Sequence, residues 1–160
     1  MKFEHLVEIN ELQDPMCFII SRAQLWRGLV LRAEQPNLFI TYIDECTISE
    51  RHESGMKRAS RFGELVVHDQ VHLQHEQSVQ YVVPAQGDIT ASKLVMSIEE
   101  PQEHSLFVRF AYDHGDSGEI TQEQEMYNSY RRAAYVEADV ETVRVIRELA
   151  QVGRLDQLVS

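Results

Sequence analysis

The feature that most constrains this chain is a helical pattern from about Thr121 to about Gln151 that contains neither glycine nor proline and follows a long series of strand-like segments. At 1.5 Å per residue such a helix runs roughly 45 Å. Thr121 and Gln124 stand at capping-box spacing, which predicts where it starts. A polar, acidic loop from His114 through Gly115 and Asp116–Glu119 separates it from the segments before it.

Those segments read as a strand, a helix and a meander of six strands. Phe3 to Ile9 alternates, with Phe3, His5, Val7 and Ile9 on one face and Glu4, Leu6 and Glu8 on the other, so it is the first expected strand. Ser21 and Gln24 form a second capping-box pair, opening a helix in which Leu25, Trp26, Leu29, Val30 and Ala33 recur at three- and four-residue intervals before Pro36. Six further strands are expected at Glu45–His52, Met56–Phe62, Leu65–Gln74, Val79–Pro84, Thr90–Glu99 and Ser105–Asp113. Glu53-Ser54-Gly55 fits a three-residue hairpin loop, and Gly63-Glu64 a two-residue one; Gly87-Asp88 and Pro101-Gln102 mark further turns. A meander cannot bury one face of its sheet without a cover, and only the terminal helix is long enough. The expected fold is therefore α+β: a curved, antiparallel, seven-stranded sheet wrapped around the C-terminal helix, as a single domain over residues 1–160.

Composition excludes several classes of function. A formal charge of −11 repels phosphate backbones, and no cluster of lysine and arginine with aromatics offers a surface for nucleic acid. No run of roughly 18 to 20 apolar residues exists for a membrane span, and Met1–His5 lacks the apolar run of a signal peptide, so a cytoplasmic location is expected. Cys17 and Cys46 show no CxxC spacing, which argues for packing roles rather than a disulfide or zinc knuckle. His68 and His72 stand about 13 Å apart on a strand and cannot share an ion. No metal or other cofactor is expected, and neither a GxSxG serine nor a phosphate-binding glycine loop is present.

The candidate site comes from strand register. A two-residue loop at Gly63-Glu64 sets Arg58 opposite Asp69, and a three-residue loop at Glu53-Ser54-Gly55 sets Glu50 opposite Arg58. The row Glu50, Arg58, Asp69 shares its face with Leu65, Val67, Val71 and Leu73, so it is expected to point inward. An arginine between two acids makes such burial tolerable, either as a structural ion-pair row or as an anchor for a ligand's polar end. On the terminal helix, Tyr127, Ala134, Tyr135, Ala138, Val145, Ile146 and Leu149 fall on one face with Arg131 near its middle, which makes Arg131 a second candidate anchor. Tyr81, Tyr127 and Tyr130 are either core residues with satisfied hydroxyls or ligand contacts, and Tyr81 and Tyr127 complete the candidate set.

Met1–His5, Leu25–Glu34, Arg61–Val67 and Glu137–Arg144 together resemble the AtaL-like family of the START-like (SRPBCC, helix-grip) superfamily, and the similarity extends over nearly the whole chain. The resemblance implies a cavity between sheet and helix, as in relatives that carry lipids, hormones or polyketide intermediates, and it hands over no catalytic residues. Three functional readings follow. The chain binds a small, largely hydrophobic molecule as a carrier or sensor, it is a small enzyme of the cyclase or dehydratase type using the same cavity, or it is a protein-interaction domain with the cavity collapsed. It is expected to work as a monomer or homodimer.

Overall fold

The computed structural model describes residues 1–115 and 120–156; of the acidic loop, Asp116–Glu119 lies outside the described residues. Seven strands form one open antiparallel sheet in the order β1-β7-β6-β5-β4-β3-β2. They are β1 Lys2–Glu8, β2 Glu45–His52, β3 Gly55–Phe62, β4 Leu65–Gln74, β5 Ser78–Val83, β6 Ser92–Gln102 and β7 Ser105–Asp113. Only β1 departs from chain order, because the helix after it carries the chain to the far edge and the meander then returns to pair β7 with β1. Helices α1 (Arg22–Glu34) and α2 (Gln122–Gln151) both begin at the expected capping boxes, with Ser21 Oγ accepting from the Gln24 N–H at 3.0 Å and Thr121 Oγ1 from the Gln124 N–H at 3.1 Å.

Both helices lie against one face of the sheet. Leu25, Leu29 and Ala33 of α1 and Val143, Ile146 and Leu149 of α2 share a core with Met96 of β6 and Val108 and Phe110 of β7. The helices meet closely at Gly28, where an added Cβ would lie 2.7 Å from Ile146 Cγ2 and 2.9 Å from its Cγ1. A side chain there would collide with a β-branched residue whose rotamer a helix holds stiffly.

Three details differ from the sequence reading. Gly55 belongs to β3 rather than to a three-residue loop, and it pairs with both His52 and His72. A Cβ at that position would stand 2.1 Å from the Val71 carbonyl oxygen, so the glycine is required by close backbone approach inside the ladder, not by a turn. With the turn shortened and a bulge between Ile48 and Glu50, Arg58 faces Ile48 and Glu50 faces Lys57. Pro101 likewise stands inside β6, where the pairing is irregular between Glu99 and Gln102, and the reversal comes after it, with His104 at φ 68°. A bulge is one of the few places a strand accepts proline.

The buried face of α2 is also rotated from the one expected. It carries Asn128, Asp139, Thr142, Val143, Ile146, Leu149 and Ala150, while Ala134 and Ala138 are exposed. Tyr127, counted on the expected face, is exposed as well, whereas Ile146 and Leu149 belong to both faces. Among the described residues, no helix is long and apolar enough to cross a membrane.

Candidate functional site

Between the sheet and α2, bordered by Tyr81 and Tyr112 of the core, lies a cavity of about 300 Å³. Ile40, Ile43, Phe62, Val67, Val83 and Leu94 supply most of its apolar wall. The polar groups facing it come from several elements: Arg32 from α1, Arg58 and Ser60 from β3, Asp69 from β4, Tyr81 from β5, Tyr112 from β7 and Tyr135 from α2. Exposed Lys93 stands at its solvent side.

Arg58 and Asp69 sit opposite each other as the two-residue turn dictates. The pair is bidentate: Arg58 Nε donates to Asp69 Oδ1 at 2.9 Å and Nη2 to Oδ2 at 2.6 Å, while Nη1 donates to the Ala33 carbonyl at 2.8 Å. Burial opposes the charge on Arg58, but the hydrogen bonds and charge of Asp69 outweigh it and hold the guanidinium above its ordinary pKa. Tyr81 lies between two guanidiniums, with Arg58 5.0 Å and Arg32 5.3 Å from its ring centroid. Its hydroxyl is buried and has no hydrogen-bond partner among the described residues.

The opposite wall is aromatic and acidic. The rings of Tyr112 and Tyr135 stack at 4.0 Å, and that of His114 continues the stack 5.6 Å from Tyr135. Tyr135 Oη and His114 Nε2 share a hydrogen bond of 2.6 Å. Behind this wall Asp139 is wholly buried, accepting from Tyr112 Oη at 2.6 Å and lying 2.7 Å from His5 Nε2. Burial raises the pKa of Asp139 against the pull of Tyr112 and His5, and burial together with the Asp139 charge raises that of Tyr112, which therefore stays a donor.

Asp139 makes a pH-dependent contribution whose sign follows from this direction. A carboxyl whose pKa is raised by folding stabilises the fold fully below its unfolded value, 3.8, and that contribution is lost as pH rises through the folded value. Asp139→Asn keeps an acceptor for Tyr112 and removes the titration. In a His5→Gln background, which removes the imidazole paired with Asp139, the Asn variant is expected to gain stability relative to Asp139 as pH rises above 3.8 in denaturant titrations. A difference that shrinks or stays flat over that range would contradict the burial assigned to Asp139.

Of the six residues singled out from sequence, Arg58, Asp69 and Tyr81 come together on the cavity wall. Glu50 is exposed on the outer side of β2 and pairs with Lys57 at 3.4 Å, because the bulge moves it out of the row. Tyr127 is 64% exposed, and Arg131 stacks on it at 5.5 Å and donates to Asn128 Oδ1 at 3.4 Å, away from Asp69. The sequence reading did not single out Arg32, Tyr112, His114, Tyr135 or Asp139 as site residues. Arg32 follows Leu25 and Leu29 at helical spacing on the buried stripe, the same kind of signal that points to Arg131. Asp139 likewise precedes Thr142, Val143 and Ile146 at three-, four- and seven-residue steps. Its bonds to His5 and Tyr112 join residues far apart in sequence and leave no local trace.

The di-domain aromatase/cyclase StfQ of the steffimycin biosynthetic pathway superposes with a TM-score of 0.70 at 10% identity, covering 94% of this chain, which spans only 50% of StfQ. The Streptomyces aromatase/cyclase Zhui superposes with a TM-score of 0.63 at 11% identity, covering 94% of this chain and 93% of its own. Human STARD10 gives 0.60 at 11% identity, covering 97% of this chain and 66% of its own. At such identities the likeness shows the fold, a START-like helix grip. No curated protein matches the sequence. The family model of AtaL, acetylaranotin biosynthesis cluster protein L, matches residues 7–153, and with nearly the whole chain so matched, the chain belongs to the AtaL family.

Proposed function

We propose that this chain binds a small, largely apolar molecule in the space between the sheet and α2, as a carrier or sensor. The observation that carries this reading is the cavity of about 300 Å³, apolar over most of its wall yet lined also by the Arg58–Asp69 pair and by Tyr81, whose buried hydroxyl has no partner among the described residues. Ligand sites combine an apolar lining with a few fixed polar groups in this way, and about 300 Å³ is the lower end of their usual size. A retained cavity with polar groups turned into it weighs against a collapsed interaction domain.

A second reading, a cyclase- or dehydratase-type enzyme, is favoured by the wall where Tyr135 bonds His114 and Tyr112 bonds Asp139. StfQ and Zhui are described as aromatase/cyclases, which makes this reading worth testing on the same sample.

Native mass spectrometry of protein purified from its own host is expected to show a bound small molecule that is absent from Leu94→Trp, where an indole fills the cavity. A folded wild-type protein that carries no such molecule, or a molecule retained unchanged by Leu94→Trp, counts against binding in this space. Incubating the released molecule with fresh protein separates the readings: a carrier returns it unchanged, and an enzyme converts it to a new mass.

A further inference from the structure

Arg32 is buried, yet among the described residues no carboxylate forms an ion pair with it. Its Nε donates to Thr142 Oγ1 at 3.2 Å, and its guanidinium lies over Tyr81 and faces the cavity. Asp139 feels its charge but is bonded to His5 and Tyr112. Asp69 is committed to Arg58 through both oxygens. An arginine stays protonated inside proteins, and a buried cation without an anion is costly. Beside it stands the one buried side-chain polar atom found without a partner among the described residues, Tyr81 Oη. The floor of the cavity thus holds two guanidiniums against one committed carboxylate, inside a chain whose net charge is −11. The positive interior is a local property of this site.

Resting on the binding reading above, we infer that the ligand is an anion: a flat, largely apolar acid whose carboxylate docks between the Arg32 guanidinium and the Tyr81 hydroxyl, with its body against the stacked rings of Tyr112 and Tyr135. The carboxylate supplies the counter-charge that Arg32 lacks and the acceptor that Tyr81 lacks. The stacked wall favours a planar body, since offset aromatic stacking contributes beyond area burial.

The test uses 2-naphthoate and its neutral isostere 2-naphthamide, titrated calorimetrically into the full chain at neutral pH. Naphthoate is expected to bind about tenfold or more tightly, as a charge-assisted hydrogen bond implies. Arg32→Met is expected to abolish that preference by weakening naphthoate far more than naphthamide, Arg32→Lys to retain part of it, and Tyr81→Phe to weaken both probes. Leu94→Trp should block both. Equal affinity of the wild-type protein for the two probes overturns the anionic ligand and leaves the cavity reading standing, and this comparison needs no variant to fold. A preference that survives in folded Arg32→Met overturns the assigned docking point. Binding of neither probe, or naphthoate binding unaffected by Leu94→Trp, counts against the cavity reading and this inference together.

Discussion

A chain ending before Thr121 is expected to lose its cooperative unfolding transition. Without α2 the sheet forfeits Val143, Ile146 and Leu149, the side chains that close the core over Met96, Val108 and Phe110. Three large apolar side chains stabilise a fold by roughly 5 to 9 kcal/mol when fully buried, which is comparable to the whole stability of a typical domain, about 5 to 15 kcal/mol. The loss also strips Asp139 from His5 and Tyr112 and bares the inner face of the strands. The change is read by thermal unfolding followed at two wavelengths of circular dichroism. A truncated monomer that still melts in one sharp step would show that α1 and the sheet suffice, and that the helix grip is not what holds this fold.

Arg58→Met is expected to destabilise the protein by roughly 3 to 5 kcal/mol, the cost of leaving a buried ion-pair partner uncompensated. Asp69 has its carboxylate satisfied by Arg58 through both oxygens, and its side chain is only 9% exposed. The Ala33 carbonyl at the end of α1 loses its donor in the same step. Removing both charges should cost less than removing one, so Arg58→Met combined with Asp69→Leu is expected to recover part of the loss in urea unfolding. A double variant no more stable than the single one would mean that the pair does not act as a unit. Arg131→Met is the matching control, since Arg131 rests on the exposed Tyr127 and touches neither residue.

Local rules explain which parts of this arrangement could be read from the sequence. The capping boxes at Ser21 and Thr121 and the turn at Gly63-Glu64 depend on residues within three or four positions of one another, and each stands where the pattern places it. The AtaL-like resemblance and the helix-grip architecture are likewise shown by the family match and the sheet topology. Register failed where one glycine had two explanations. Gly55 fits a loop by composition, but it is demanded by the Val71 carbonyl on a neighbouring strand, and the resulting shift with the bulge carried Glu50 out of the row. The face of α2 failed for a different reason. Apolar periodicity measures where apolar residues are, whereas this helix buries Asn128, Asp139 and Thr142 and exposes Tyr127 and Tyr130. Buried polar side chains on a helix invert the pattern that an apolar core would write.

The close approach at Gly28 carries a consequence for how this sequence can drift. Because a methyl group there would meet Ile146 at 2.7 Å, the two positions are expected to change together, although they stand 118 positions apart in the chain. Alanine at 28 improves helix propensity by up to about 1 kcal/mol in isolation, yet overpacking against a stiff branched neighbour costs typically 1 to 3 kcal/mol. The order of events is therefore constrained. A lineage can accept a larger residue at 28 only after 146 has given up volume, and the reverse order passes through a less stable ancestor.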